Sequence, residues 1–245
     1  MMKVTYLSHS GFLVELDHAY FLFDYYKGEL PEIKTGKPFF VFVSHVHHDH
    51  YRKDIFKLRE YLPQICYILS SDLEMEESDD IISMGPNEER MAGGCRIRTL
   101  RSTDEGVAFL VQYEGVTVYH AGDLNWWHWE EESRAYNTMM RRKYQYEINK
   151  LHDEKIDLAF VPVDPRLGEQ YVLGLDCFMK RTDTHVVFPM HFWDNYGIFD
   201  RLMLEQCTQE YVDKIQRITK EGQVFELEKR EEVSFAESVR EILEK

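Results

Sequence analysis

Residues 44–50 read Ser-His-Val-His-His-Asp-His, which sets His45, His47, Asp49 and His50 within six positions. Imidazole nitrogen together with carboxylate oxygen suits zinc, iron or manganese, and no thiolate is needed. A histidine-rich surface turn is the plain alternative. It accounts poorly for four ligand-type side chains directly behind the apolar run Phe39-Phe40-Val41-Phe42-Val43. That run is short, aromatic and β-branched, and Pro38 precedes it, so it reads as a buried strand. A loop at its end has a rigid base, from which His45 and His47 can leave on one side and Asp49 and His50 on the other.

Other chemistry-bearing residues also follow strand-like runs. Asp24 ends Tyr20–Phe23, where a carboxylate either caps the loop or holds a ligand imidazole by its second nitrogen. Asp123 follows Val116–Tyr119 in His120-Ala121-Gly122-Asp123, a place where a carboxylate can approach an ion closely. His191 follows His185–Pro189 in the same way. His9 sits in the first turn and could reach the same edge. His120 could stabilise a developing oxyanion or protonate a leaving group, or only brace Asp123. Asp164 and Arg166 follow Ile156–Val163, and Arg166 could grip a substrate carboxylate or phosphate or serve as a structural turn residue. Trp126, Trp127, Trp129 and Trp193 form either a hydrophobic plug or a ring-stacking pocket wall.

The elements that must position these groups begin with a meander: Val4–Leu7, Phe12–Leu16 and Tyr20–Phe23 are strand-like, with a turn at Asp17-His18. After the histidine loop, Arg52–Leu62 has helical spacing and Cys66–Leu69 reads as a strand. Residues 71–92 are acid-rich and read as a helix turn and surface loop. Arg96–Leu100, Val107–Val111 and Val116–Tyr119 are strands, the last two joined at Glu114-Gly115. Glu131–Leu151 is an amphipathic helix. Val172–Met179 and Phe199–Ile218 read as helices, Val224–Leu227 as a strand and Ser234–Leu243 as a closing helix. With no repeat, linker or composition break, residues 1–245 read as one domain. Two strand blocks, each followed by helices, fit an α/β fold of the α+β kind, a four-layer αββα sandwich.

Composition narrows the classes. Hydrophobic residues make up 44% of 245, enough for a sizeable core. A formal charge of -15 argues against a nucleic-acid or anionic-membrane surface, which needs a basic patch. Cys66, Cys95, Cys177 and Cys207 lack zinc-ribbon or redox spacing and fit free thiols of a reducing cytosol. The start has no signal-peptide pattern and no stretch reaches membrane-spanning length, so the expectation is a soluble cytoplasmic protein.

The pattern His-x-His-x-Asp-His at 45–50 resembles the signature of the metallo-β-lactamase superfamily. Asp123, in Ala-Gly-Asp, matches that family's carboxylate between two metals, and His191, in Phe-Pro-Met-His, its C-terminal metal histidine. The resemblance implies a metallo-β-lactamase-like sandwich with site one from His45 and His47, site two from Asp49, His50 and His191, and Asp123 between them. Leu7-Ser8-His9-Ser10-Gly11-Phe12 and Tyr119–Asp123 are similar to the ascorbate-6-phosphate lactonase-like branch. One departure stands out: Ser102 aligns where the family supplies a further site-one histidine, so that Asp104 or His120 must substitute or the site binds weakly.

The leading expectation is a hydrolase with one or two divalent ions, zinc first and manganese or iron as alternatives. Its substrate is a small anionic or sugar-like lactone, ester or phosphodiester. Such ions lower the pKa of water toward neutrality, and Asp49 could accept a proton as well as hold metal. A nuclease on the same fold is the second reading, which the acidic balance opposes. A non-catalytic metal-binding or ligand-sensing protein is the third, with Ser102 as its motive.

Overall fold

The structure, a computed structural model, describes residues 1–230. The expected closing helix at Ser234–Leu243 lies outside them. Among the described residues thirteen strands form two sheets. The first runs in the order β13 (Val224–Leu227), β1 (Met2–Ser8), β2 (Gly11–Glu15), β3 (Tyr20–Phe23), β4 (Phe39–Val43), β5 (Ile65–Ser70), β6 (Ile81–Met84). It is antiparallel from β13 to β3 and parallel from β3 to β6. The second runs β12 (Asp183–Met190), β11 (Lys155–Pro162), β10 (Val116–His120), β9 (Val107–Tyr113), β8 (Cys95–Arg101), β7 (Glu89–Ala92). Here β12, β11 and β10 are parallel and the remainder antiparallel.

β4 shows why its sequence is apolar throughout. Phe40 and Phe42 enter the core between the sheets, whereas Phe39, Val41 and Val43 belong to a second apolar layer on the other face. A strand covered on both faces needs no polar alternation. Between the sheets Phe12 meets Phe160 at 4.2 Å between ring centroids, and Phe42 meets Phe109 at 5.4 Å. Each such buried ring contributes roughly 1.5–3 kcal/mol by area burial. The second sheet is covered outside by α1 (Arg134–Asn149) and α2 (Leu173–Met179), with Tyr119 of β10 stacked on Phe178 at 5.0 Å. The first sheet's outer face is covered by the 3-10 helix Lys53–Glu60, through Ile55, and by the partly buried Leu30 and Ile33.

Three expectations need correction. Residues 71–92 hold the strands β6 and β7 besides a short 3-10 turn; β7 exposes Glu89, Arg90 and Met91, so no apolar alternation marks it. The helical segment after the histidine loop is 3-10 rather than α, with Ile55 its one buried residue. The helix expected over Phe199–Ile218 stops early, as α3 (Ile198–Leu204). Thr208 Oγ1 donates to Leu202 O and Glu205 O, and Gln209 Nε2 to Met203 O and Glu205 O. Side chains thus take the carbonyls that a continuing helix would bond. α1 begins where Ser133 Oγ accepts from Tyr136 N at 3.1 Å, an N-cap three residues later than the acidic run suggested.

Among the described residues no helix is long and apolar enough to cross a membrane.

Candidate metal centre

One edge of the sandwich gathers the ends of β1, β3, β4, β10, β11 and β12, and the residues that follow them carry the chemistry. His9, Asp24, His191 and Trp193 all hold left-handed backbone angles (φ 54°, 41°, 63° and 56°). Such angles are costly for residues with a Cβ and cluster at functional sites. Gly122 (φ +52°) lets the Asp123 loop lie on the histidine loop: a Cβ there would stand 2.6 Å from Ser44 Cβ.

His45, His50 and His191 turn their Nε2 atoms toward Asp123. His45 Nε2 lies 3.5 Å from Asp123 Oδ2, and His50 Nε2 and His191 Nε2 each lie 3.3 Å from Oδ1. Their Nδ1 atoms are held from behind. Asp24 Oδ2 lies 2.7 Å from His50 Nδ1 and accepts from Ser44 Oγ at 2.6 Å, while Ser44 Oγ lies 2.9 Å from His45 Nδ1. Asp164 Oδ2 lies 2.9 Å from His191 Nδ1, and Arg166 grips Asp164 through Nε and Nη2. Of the two readings left open for Asp24, the geometry gives the one in which it orients a ligand imidazole. Carboxylates and hydroxyls behind the rings fix the tautomer with Nε2 free to ligate.

His45 Nε2, His50 Nε2 and Asp123 Oδ1 are buried and make no hydrogen bond. Buried polar atoms are rarely left this way. Their atoms lie within 4.8 Å of one another, as do those of His47, Asp104 and Asp123, and those of His9, Asp49, His50 and His191. The donor set is nitrogen and oxygen throughout, and it fits divalent metal ions. Asp104, not Ser102, therefore comes to His47. Ser102 Oγ instead accepts from Asp104 N at 3.1 Å and shapes the loop that presents the carboxylate.

Electrostatics agree with metal-free ligands pressed together. Burial, then His50, lowers His45 to about 4. Burial also opposes charge on His191, yet Asp123 and Asp164 outweigh it and raise the ring to about 10. Burial likewise opposes charge on Asp123, but His50 and His191 hold its carboxyl well below the usual range. His9 is driven neutral by burial and by His191 and His50.

Two expected roles are corrected. His120 is no ligand and does not face the site: Nε2 lies 2.9 Å from Ser10 O, and Nδ1 accepts from Gly122 N at 3.1 Å. Both ring nitrogens are thus used, and the ring stacks on Phe23 at 4.9 Å. It braces the turn before Asp123 through the bond from Gly122 N. Trp126 turns to a separate cleft with His128 and Arg141.

A cavity of about 460 Å³ opens over this cluster, lined by His47, His48, Asp49, Asp104, Asp123 and His191. Trp127, Trp129, Tyr136, Met140, Arg166 and Trp193 complete its wall. His9 is buried behind two of these lining residues, with Nε2 3.5 Å from Asp49 Oδ2 and its ring 4.3 Å from that of Trp193. Sequence reasoning missed Asp72, whose Oδ2 accepts from Val46 N at 3.0 Å and ties the histidine loop to the end of β5. Its signal was a carboxylate just past a strand-like run, set aside as part of an acidic surface.

A family model described as beta-lactamase superfamily domain matches residues 3–137. A comparison with curated proteins gives no match. Among solved structures, the chain is similar to Igni18, a metallo hydrolase from the archaeon Ignicoccus hospitalis, with 19% identity and TM-score 0.62. That alignment covers 93% of this chain and 99% of the other. It is also similar to the metallo-beta-lactamase fold protein YhfI from Bacillus subtilis, with 16% identity and TM-score 0.58 over 91% of this chain and 98% of the other. A candidate metal-dependent hydrolase from Parabacteroides distasonis shares 14% identity and TM-score 0.60, over 88% and 91% of the two chains. At these identities the likeness is one of fold.

Proposed function

The chain belongs to the beta-lactamase superfamily domain family, whose model spans more than half of it, a fold of metal-dependent hydrolases, and on that footing we propose that it cleaves a lactone, ester or phosphodiester bond in a small molecule. The observation that supports this most directly is the convergence of unpartnered, buried His45 Nε2, His50 Nε2 and Asp123 Oδ1 beneath an open cavity. In this reading His45, His47, Asp104 and Asp123 would hold one ion, and Asp49, His50 and His191, together with Asp123, would hold a second. Zinc is the first choice, with manganese or iron as alternatives for the same donors. Divalent ions bound there would supply an acidified water and polarise the bond to be cleaved.

The chain's own residues supply the rest. Asp24 and Asp164 hold the ligand rings in the required tautomer. Asp49, on the cavity wall, takes up a proton as well as holding metal. His9, neutral and with both ring nitrogens unpartnered, lies 3.5 Å from Asp49 Oδ2 and orients that carboxylate. Four unpaired cysteines suit a cytoplasmic setting.

The test is elemental analysis of the purified protein and of Asp123→Ala, beside a turnover screen on lactones, esters and phosphodiesters. Near two ions per chain, falling in the variant together with turnover, is the expected result. Metal content indifferent to Asp123→Ala would overturn the binuclear reading. Absence of turnover in a fully loaded protein would leave a metal-binding, non-catalytic chain.

A further inference from the structure

Among the described residues Arg166 is the one lysine or arginine side chain on the cavity wall, and its guanidinium is half committed. Nε and Nη2 are held by Asp164, whereas Nη1 makes no hydrogen bond among the described residues. The group is fixed on its faces too: its central carbon lies 5.3 Å from the ring centroid of Trp193 and 5.8 Å from that of Trp129. Trp129 in turn lies parallel to Trp127 at 6.1 Å, and Trp127 adjoins His191 at 5.4 Å. An aromatic surface therefore runs from the ligand cluster to one pre-positioned cation. A guanidinium clamped in this way loses little freedom when it meets an anion.

The rest of the wall decides between substrate chemistries. Apart from the ligating groups it consists of Trp127, Trp129, Tyr136, Met140 and Trp193, with His48. Trp127 Nε1 already donates to Asp123 O at 3.0 Å. A sugar needs a hydrogen-bond partner for nearly every hydroxyl, because each one desolvated without a partner costs about 1–3 kcal/mol. Outside the candidate metal-holding groups and Arg166, this wall offers the Tyr136 hydroxyl, the Trp129 and Trp193 N–H groups and the His48 ring, three of them single donors on otherwise apolar rings. One half-used guanidinium matches one negative charge, and flat apolar walls match a ring.

We propose that the site selects a monoanionic molecule carrying a flat apolar ring. Arg166 Nη1 takes the anionic group, and Trp129 and Trp193 cover the ring. This deepens the hydrolase reading and rests on it for the position of the scissile bond over the metal ligands.

The experiment measures binding to the metal-loaded protein by tryptophan fluorescence and calorimetry, with benzoate, benzyl alcohol, acetate and glucose as probes. Wild type is expected to bind benzoate about tenfold or more tightly than benzyl alcohol or acetate, the scale of one charge-assisted hydrogen bond or one stacked ring. Arg166→Gln should bring benzoate and benzyl alcohol together, while Arg166→Lys, whose single ammonium cannot serve Asp164 and the anion at once, keeps only part of the difference. Trp193→Leu should bring benzoate and acetate together while leaving acetate unchanged. Equal metal content in all four proteins shows that the ligand cluster is intact. Should Arg166→Gln lose metal, the Arg166→Lys and Trp193→Leu comparisons still decide. Glucose binding more tightly than benzoate, or ratios unmoved by the variants, would overturn the proposal. Benzoate selectivity without turnover of any ester, lactone or phosphodiester would sink the hydrolase reading alone.

Discussion

Asp24 Oδ2 stands 2.7 Å from His50 Nδ1, with both residues fully buried and the same oxygen accepting from Ser44 Oγ. Through Ser44 the one carboxylate supports both His45 and His50. Burial alone would raise its pKa, but the neighbouring His120 and His50 rings hold it below its ordinary value. Asp24→Asn should lower metal affinity by roughly 10–100-fold, as loss of such supporting partners does elsewhere. Competition against a chelator reads this directly, and unchanged affinity would show that Asp24 serves the fold alone.

The site-one carboxylate is separable from the serine beside it. Asp104→Ala should drop the metal content from two ions toward one, because the first site then keeps only His45 and His47 beside the shared Asp123. Ser102→Ala removes a 3.1 Å hydrogen bond in an adjacent turn. It should cost at most about 1.5 kcal/mol of stability and leave both ions in place. Elemental analysis of the two variants, with urea denaturation of each, distinguishes ligand from loop support.

His120→Gln tests a residue whose type suggests chemistry and whose surroundings do not. The ring fills space against Phe23 and Phe160 and ties Ser10 O to Gly122 N. The variant should lose about 2–4 kcal/mol of stability, with turnover per folded, metal-loaded molecule within a few-fold of wild type. A loss of turnover by orders of magnitude at full metal occupancy would return His120 to the reaction.

Metal binding should release protons near neutral pH. In the metal-free protein His191 is raised to about 10, because Asp123 and Asp164 outweigh burial, so it is charged at pH 7 and must lose its proton to ligate. Affinity therefore climbs with pH, and calorimetry in buffers of different ionisation heat counts the protons. The same raised pKa favours the folded metal-free chain fully below its ordinary value of 6.5, and that contribution drains away as pH rises toward 10. Chemical denaturation of chelator-treated protein across that window follows it.

The sequence alone determined most of the strands, though not β6 and β7, and the side chains next to their ends that are candidates to hold metal. β4 was legible because five consecutive apolar residues can be only a strand buried on both faces or a stretch of core helix, and the flanking Pro38 and the histidine loop decide which. The grouping of His45, His47, Asp49 and His50 was legible because short-range spacing survives folding. Asp123 and His191 were found because each follows a strand whose end the fold brings to the same edge.

Tertiary structure decided everything that depends on which residues meet across the two sheets. Asp104 rather than His120 reaches His47, because β10 turns the His120 ring inward, between Ser10 and Phe23, while the β8–β9 loop overhangs the cluster. Trp127 and Trp129 face the cavity, while Trp126, His128 and Glu130 line a separate cleft; the side chains alternate as in an extended chain, but this stretch pairs with no strand, so only the tertiary structure decides which side meets the cavity. Asp164 and Asp72 take their parts through hydrogen bonds to His191 and Val46, each 26 or 27 positions away in the chain. Local propensity carries no record of such pairings, because their free energy arises only when the two strand ends are already side by side.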